Sequence, residues 1–276
     1  MVDVDPLHDP DDEDLLHPRQ ARMLAGLVEN ARLSSATVRY GLRSRVGVAT
    51  LVLNQDNPLP TANHACALWG TLAEVASTLL RLEQVFAEAG RSEAVVYASP
   101  STVAEIEGIA DDAGWRAVDE GLVLLHRDPQ TSYVSTRPAE DGDLPGIADL
   151  IADDAGLSGS GESRLVRNLG HRIDDPRCVV HVVDDTEADR IAGFVQGFTE
   201  HGMGLVEQVV VRPGRRRRGV GRGLVVAAVD ELRERGARLV AAHSDESRPA
   251  ERFAEACGFE PAYGVTAYAR RVDELL

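Results

Sequence analysis

The chain has 276 residues, and its 43% hydrophobic and 27% charged content is that of a soluble globular protein with one or two domains. Its net charge of −16 repels polyanions, which argues against duplex DNA or an anionic membrane as the main partner and favours a cationic substrate. No apolar run approaches the ~20 residues needed to span a bilayer, and the N-terminus is acidic where a signal peptide would be basic, so we expect a cytoplasmic protein.

Residues 1–18 combine Asp and Pro with little apolar content, and this composition predicts a disordered acidic tail. From residue 19 to about 45, apolar residues recur at near-helical spacing and predict an N-terminal helix: Met23, Leu24, Leu27, Ala31 and Val38. The apolar run 46–53 is predicted to form one strand, which ends at the turn-rich segment 54–60.

An α-β-α-β pattern occurs twice along the chain. In each copy a helix ends at a glycine, a strand follows, and then a second helix and a second strand repeat the order. The copies are predicted at 71–89, 93–98, 101–113 and 122–126, and again at 219–235, 238–242, 247–257 and 264–270. A capping-box pattern, Thr71 with Glu74, predicts the start of the first helix. We interpret the pattern as an internal repeat because glycines match in pairs: Gly90 with Gly236, Gly114 with Gly258, and Gly121 with Gly264.

Residues 128–130 are predicted to link the two halves. The second half is expected to begin with a strand at 133–137 and to continue with two helices and three strands, at 143–155, 162–173, 178–183, 191–198 and 205–211. From residue 131 onward the predicted order is therefore β-α-α-β-β-β-α-β-α-β.

The most informative segment is the Arg/Gly loop, residues 212–221, where an apolar strand passes through an arginine- and glycine-rich turn directly into a helix. Its glycines let backbone N–H groups face a concavity, and the helix adds its unpaired donors and the positive end of its dipole. Because the chain contains no lysine, a P-loop of the GxxxxGK[ST] type is excluded. The spacing Arg216-x-x-Gly219-x-Gly221 resembles the [QR]xxGx[GA] pyrophosphate-binding motif of the GCN5-related N-acetyltransferase (GNAT) family.

The resemblance implies an α/β fold with a mixed sheet, and the repeat extends it to two acetyltransferase-like domains in tandem, at 19–128 and 131–276. The segment 61–70, before the first copy's helix, has no arginine and a single glycine, so it cannot form the same anion site. We therefore expect a degenerate N-terminal domain beside one domain that binds acetyl-CoA.

By the resemblance, the strand before the loop offers backbone groups to the pantetheine arm of acetyl-CoA, and the loop binds the diphosphate. The implied binding residues are Val209, Val210, Val211, Arg216, Arg217, Arg218, Gly219, Val220, Gly221 and Ser247. Arg215 and Arg222 are expected to face water. No metal is expected, since the histidines and cysteines show none of the usual metal-ligand spacings.

Glu207 is the candidate general base, because a carboxylate in this neighbourhood often takes the proton of the substrate ammonium in the family. On a regular strand its side chain shares a face with Val209 and Val211. A surface glutamate without a catalytic role is the alternative, and Glu200 and His201 are other candidates for the base.

The family's general acid is usually a tyrosine in an N…A…FY…GF stretch. This chain has Ala254 at the tyrosine position and Ser247 at the asparagine position, while Phe253, Gly258 and Phe259 match. We therefore expect another group to protonate the leaving thiolate. Tyr263 is the candidate, and the alternatives are Tyr268, Ser244 and His243.

These features imply an enzyme that transfers an acetyl group from acetyl-CoA to a primary amine by direct attack in a ternary complex. The expected acceptor is a small cationic molecule, such as a polyamine-like or aminoglycoside-like amine, or a protein N-terminus. The alternative is an inactive or weakly active acyl-CoA-binding sensor or scaffold. The sequence is compatible with either a monomer or a homodimer. Nucleic-acid binding through the arginine run is disfavoured by the net charge.

Overall fold

The computed structural model describes residues 15–156, 160–188, 190–245 and 247–273. The first half contains α1 (Pro18–Ala36), β1 (Gly41–Val46), β2 (Ala49–Asn54), β3 (His64–Cys66), α2 (Leu72–Glu88), β4 (Glu93–Ala98), α3 (Ile106–Asp112) and β5 (Arg116–His126). The second contains β6 (Arg137–Pro138), α4 (Leu144–Ala155), α5 (Ser160–Asp174), β7 (Cys178–Asp185), β8 (Arg190–Glu200), β9 (Met203–Val211), α6 (Val220–Glu234), β10 (Leu239–Asp245), α7 (Arg248–Ala256) and β11 (Phe259–Arg271). The mixed α/β class predicted from the sequence is confirmed.

The two copies of the repeat have the predicted order, α2-β4-α3-β5 and α6-β10-α7-β11. Two of the three matched glycine pairs end corresponding helices and have positive φ: Gly90 and Gly236 at 68° and 97°, and Gly114 and Gly258 at 74° and 83°. A left-handed residue after a helix is favoured for glycine because a Cβ would be strained there. The capping box of Thr71 and Glu74 is also present at the start of α2.

The last strand of each copy crosses into the other half of the sheet. The eleven strands that the described residues form lie in the order β1-β2-β3-β4-β11-β5-β10-β9-β8-β7-β6. The C-terminal β11 therefore lies between β4 and β5 of the first half, while β5 pairs with β10 of the second half. Accordingly Tyr268 of β11 and Val272, which follows the strand, are buried with α2 and α3, and Leu124 of β5 is buried with α6.

This reciprocal exchange of strands predicts that the two halves unfold together. We expect one transition in differential scanning calorimetry, with calorimetric and van't Hoff enthalpies that agree, because neither half completes its sheet without a strand of the other. Two resolved transitions would contradict this expectation and would mean that the exchanged strands contribute little to cooperativity.

Near the N-terminus the strand predicted over 46–53 is confirmed only from residue 49 onward, as β2, and a further strand, β1, precedes it. The helix ends at Ala36, and β1 and β2 form a hairpin that reverses direction at Gly47, whose φ is 56°. A Cβ at this position would lie 2.1 Å from Oγ1 of Thr78, so the turn fits against α2 only as glycine. Met23 and Leu27 are exposed on α1, and the buried face is formed instead by Ala21, Leu24, Ala25, Val28 and Ala31.

Other boundaries also differ. The strand predicted at 133–137 is reduced to β6, and the helix predicted at 101–113 is reduced to α3. Both strands of the exchange, β5 and β11, are longer than predicted, because each pairs on both edges. Most of the predicted acidic tail, residues 1–14, lies outside the described residues.

Candidate active site

The site is built where two parallel strands separate. β9 and β10 pair from Met203 with Leu239 to Val206 with Ala242, after which no register pair joins them, although β9 continues to Val211 and β10 to Asp245. Beyond this point the edge of β9 that faces β10 is released from the sheet ladder. We call the space between residues 207–211 and 243–245 the strand cleft. It opens at the carboxyl ends of the two strands, where ligands bind in open α/β sheets.

The Arg/Gly loop lies at the end of β9 and leads directly into α6. Arg217 and Gly219 have positive φ, 63° and 81°, and Gly219 is the N-cap of α6 without a side chain to cap the helix. The first N–H groups of α6 therefore have no partner within the helix. Residues 216–219 are exposed, so these donors and the positive end of the helix dipole are accessible to an anion.

The arginines of the loop have different tasks. Arg216 donates from Nε to the carbonyl of Val211 at 2.9 Å, so it is held across the end of β9. Arg215 is bound to the acidic β7–β8 turn, with 2.8 Å from its Nε to Oδ2 of Asp185, and Arg222 donates to Gln130 at 2.8 Å. The expectation that Arg215 and Arg222 face water is therefore wrong. Arg212 donates from Nε to the carbonyl of Ile191 at 2.9 Å, whereas Arg217 and Arg218 are exposed.

Helix α7 packs close to the N-terminal turn of α6. A Cβ at Gly221 would lie 3.1 Å from Cε2 of Phe253, so α6 and α7 approach each other closely here. Ser247 is the N-cap of α7 by position, but its side chain makes no capping bond. Ala254, at the usual tyrosine position, is 7% exposed and is packed among apolar residues that include Val229 and Cys257.

Glu207 lies at a β-bulge. The register between β8 and β9 shifts there, since Gly197 pairs with Val206 and Gln196 with Gln208, which leaves Glu207 without a partner. A bulge reverses the alternation of side chains along a strand. Val209 and Val211 accordingly pack against the α6 side, whereas Glu207 faces α1 and α5. The expectation that Glu207 shares a face with Val209 and Val211 is therefore wrong.

The carboxylate of Glu207 is already engaged on both oxygens. Oε1 accepts a hydrogen bond from the hydroxyl of Ser35 on α1, and Oε2 accepts one from the guanidinium of Arg172 on α5. The side chain of Arg172 is 5% exposed and that of Glu207 is 20% exposed. Arg172 also donates to Oγ of Ser35 at 3.1 Å. Three elements that are distant in sequence therefore meet at the bulge.

Next to Glu207 is a cavity of about 310 Å³, the central cavity, which both halves enclose. Helix α1 and the segment 54–64 contribute one wall, and α5 with strands β8, β9 and β10 contributes the other. The polar residues around it include Arg32, Ser35, Asn57, His64, Tyr97, Asn168, Arg172, Gln196, Glu207, Gln208 and His243. The sequence reasoning missed Arg32, Ser35 and Arg172, because helical periodicity gives no signal of which distant strand a helix will face.

The candidates for a proton donor are distributed over different places. Tyr263 is 3% exposed in the core between α1 and β5, where burial raises the pKa of its phenol, and it does not line the central cavity. Tyr268 is buried in the core of the first half. His243 does line the cavity, at its exposed edge. Although its ring is partly open to solvent, desolvation and the charge of Arg32 lower the pKa of His243 to about 4, so it is neutral near pH 7.

The two alternatives for a base lie away from the cavity, in the β8–β9 hairpin. Glu200 accepts from Arg177 at 2.9 Å, and His201 is a turn residue with a φ of 51°. Neither lines the central cavity.

Two kinds of feature are absent from the described residues. They contain no group of three or more His, Cys, Asp or Glu side chains arranged to hold a metal ion. None of the helices among them is both long and apolar enough to cross a membrane.

Comparison with known proteins gives a consistent result for the family. Residues 144–259 match the model of the acetyltransferase (GNAT) family, a range that includes β9, the Arg/Gly loop and α7. No curated protein matches the chain.

Solved structures similar to this one cover most of its length. They include a GCN5-related N-acetyltransferase from Kribbella flavida, with a TM-score of 0.65 at 16% identity over 89% of this chain and 95% of that one. Another from Sphaerobacter thermophilus has a TM-score of 0.57 at 16% identity over 94% of each chain. A tandem GNAT protein from the clavulanic acid biosynthesis pathway has a TM-score of 0.57 at 17% identity, over 82% of this chain and 79% of that one. The fold of nearly the whole chain is therefore that of GNAT proteins, and the stretch 144–259 also matches the acetyltransferase (GNAT) family model.

Proposed function

We propose that the protein transfers the acetyl group of acetyl-CoA to a primary amine and that residues 131–276 carry the donor site. The observation that supports this most strongly is the arrangement around β9. The strand cleft and the Arg/Gly loop lie at one end of the released strand edge, and the central cavity with Glu207 lies at the other. A donor bound along β9 and an acceptor in the cavity would thus meet at the bulge.

The residues of the cleft fit acetyl-CoA. The first N–H groups of α6 and the guanidinium groups of Arg217 and Arg218 are accessible donors for a diphosphate, and charge-assisted bonds of this kind are about twice as strong as neutral ones. The released backbone of 209–211 suits the amide groups of a pantetheine arm, and Ser247 borders the cleft from α7. When bound, acetyl-CoA supplies the acetyl group as a thioester.

The chain's own residues would then position the amine and manage its proton. Glu207 is the proposed acceptor of the ammonium proton, because an amine attacks only through its free lone pair. Its ion pair with Arg172 holds the carboxylate in place at the bulge. Tyr263 is not retained in this mechanism because it is buried away from the cavity, so we propose that solvent at the His243 edge provides the proton for the leaving thiolate.

The first half is proposed to be degenerate as a donor site. At the corresponding helix start, the carboxylate of Glu74 accepts from the backbone N–H of Thr71 at 2.8 Å and so occupies the end of α2 that would have to bind phosphate. A fixed negative charge at a helix N-terminus competes with an anionic ligand. The first half instead supplies α1 and the 54–64 segment to the central cavity.

The experiment that tests this is calorimetric titration of the protein with acetyl-CoA, followed by measurement of CoA release with a panel of amines. We expect one binding site per chain and amine-dependent release of CoA. Two sites would contradict the assignment of the first half, and saturable binding without turnover for any amine would contradict the enzymatic proposal. If acetyl-CoA showed no saturable binding, the proposal of a donor site in residues 131–276 would be wrong.

A further inference from the structure

The Arg32 end of the central cavity carries a cation that makes no hydrogen bond or ion pair with the described residues. Arg32 lies on α1 one turn before Ser35, is half-buried, and lines the cavity. Its guanidinium carbon lies 5.6 Å from the ring centroid of Tyr97. Among the described parts of the chain it has neither a hydrogen bond nor an ion pair, although the group presents five N–H donors. Leaving such donors unsatisfied in a partly desolvated site is costly, which favours a ligand that accepts from them.

The charge balance of the cavity is opposite to that of the chain. Of the charged side chains that line it, Arg32 and Arg172 are positive and Glu207 is negative. Glu207 is already paired with Arg172, so the charge of Arg32 is left over. Burial and then the charge of Arg32 lower the pKa of His64 to about 3, so this histidine adds no charge near pH 7, and neither does His243. A polycation would thus meet net positive charge in the cavity, in spite of the net charge of −16 of the chain.

The nearest sequence neighbour with a negative charge on α1 does not neutralise Arg32. Glu29, three residues earlier, accepts hydrogen bonds at 2.7 Å from the hydroxyls of Ser99 and Ser101, and it makes no ion pair with Arg32 within the described chain. Burial raises the pKa of Glu29. The hydrogen bonds from the two hydroxyls and the charge of Arg32 lower it, but they offset only part of this effect. The carboxylate of Glu29 is therefore hydrogen-bonded to the loop between β4 and α3.

Other polar atoms of the cavity also lack partners. Nδ1 of His64 and Oε1 of Gln196 are buried, line the cavity and have no hydrogen-bond partner among the described residues. His64 is 1% exposed and Gln196 is 9% exposed. Buried polar groups in native proteins nearly always have partners. The cavity is thus lined for a polar ligand, with an unpaired carbonyl oxygen near the bulge and an unpaired cation at the Arg32 end.

We infer that the acceptor is an amine that also carries a carboxylate, of the size of a free amino acid, and that Arg32 binds this carboxylate. The inference rests on the proposed function and names the acceptor class of that same site. A guanidinium matches a carboxylate through two parallel hydrogen bonds. The amine of the same molecule would point to the bulge, where the carboxylate of Glu207 and Oε1 of Gln196 can accept hydrogen bonds from it. A volume of about 310 Å³ is at the lower end for small-ligand pockets, which suits such a molecule.

The test uses matched pairs of amines with and without the carboxylate. The twenty common amino acids and their decarboxylated counterparts, for example lysine with cadaverine and phenylalanine with phenethylamine, are titrated into the full chain loaded with CoA, and acetylation is then measured with acetyl-CoA. We expect at least one amino acid to bind and to be acetylated at least ~10-fold more efficiently than its decarboxylated counterpart, the effect of a charge-assisted hydrogen bond.

Variants of Arg32 show whether this residue is responsible. Arg32→Gln should weaken binding of the preferred amino acid at least ~10-fold, leave its decarboxylated counterpart within ~3-fold, and leave acetyl-CoA affinity unchanged. Arg32→Lys should restore part of the loss. The matched control is Arg22→Gln on the same helix, whose exposed guanidinium stacks on Trp69 at 4.4 Å outside the cavity and whose loss should change neither affinity. Both variants should fold, which thermal unfolding checks.

The outcomes separate this inference from the proposed function. If acetyl-CoA binds and decarboxylated amines are preferred, or if no amino acid binds to the CoA-loaded protein, the inference is wrong while the donor site stands. If Arg32→Gln weakens both members of each pair equally, the carboxylate assignment is wrong. If acetyl-CoA itself does not bind, the proposed function fails first.

Discussion

Replacing Gly221 with glutamate is expected to weaken acetyl-CoA binding at least ~100-fold and to leave the fold intact. The new carboxylate would stand at the N-terminal turn of α6, where it competes with the diphosphate for the same N–H donors. Loss of two charge-assisted contacts of ~1.5–3 kcal/mol each gives a change of this size. The tightest contact of the new Cβ would be with the ring of Phe253, which is 40% exposed and has room to shift, and its distance of 3.6 Å to Cγ2 of Val211 is an ordinary van der Waals contact.

The Arg/Gly loop offers a matched control for this experiment. Gly214 is seven residues earlier, and a Cβ added there meets no atom within 4 Å. Gly214→Glu adds the same charge to the same loop without touching the helix start, so acetyl-CoA affinity should stay within ~3-fold of the wild type. Calorimetric titration of both variants, with thermal unfolding as a check of the fold, decides the matter. Equal losses in the two variants would mean that only the overall charge of the loop matters, and no loss in either would remove the loop from the site.

The sequence predicted those parts of the fold that local chemistry determines. Helix α2 follows from its capping box, and the ends of corresponding helices follow from glycines that take positive φ, as Gly114 and Gly258 do. The Arg/Gly loop was recognisable because strand, glycines and helix follow one another without interruption. It is exposed in the structure at the start of α6.

The parts that depend on contacts between distant segments were not predictable. Periodicity does not reveal that β11 would insert between β4 and β5, because both edges of a central strand look alike in sequence. The bulge at Glu207 adds one residue to a run that reads as a regular strand, and it moves the side chain to the other face. Both partners of Glu207 are distant in sequence. Ser35 lies 172 positions before it, and Arg172 lies 35 positions before it.

The strand exchange and the central cavity are related features. Because β5 and β11 tie the halves into one sheet, α1 of the first half packs over β9, β10 and β11 of the second half. Arg32 and Ser35 reach the cavity from this helix. A first half that does not bind the donor is thus still needed to form the proposed acceptor site, which gives a physical reason why both halves belong to one functional unit.

The ion pair of Glu207 and Arg172 supports a last prediction, in which stability and catalysis are separated. Glu207→Gln alone should destabilise the protein by about 3 kcal/mol, because it leaves the guanidinium of Arg172 buried without a counter-charge. The value is at the lower end of the range for buried pairs, since a fifth of the Glu207 side chain is exposed. Arg172→Met alone should destabilise similarly by leaving the carboxylate without its partner. The double variant should be close to the wild type in thermal and denaturant unfolding, because both charges are removed together.

Activity should follow a different pattern from stability. If Glu207 accepts the ammonium proton, amine acetylation should fall ~100-fold or more in Glu207→Gln and should stay low in the stable double variant, with acetyl-CoA affinity nearly unchanged. The deficit should shrink as the pH approaches the pKa of the amine itself, because an amine that is already unprotonated needs no base. Recovery of activity together with stability in the double variant would show that Glu207 only holds α1, α5 and the bulge together. The rate of the double variant at neutral pH therefore distinguishes a base from a structural carboxylate in a single measurement.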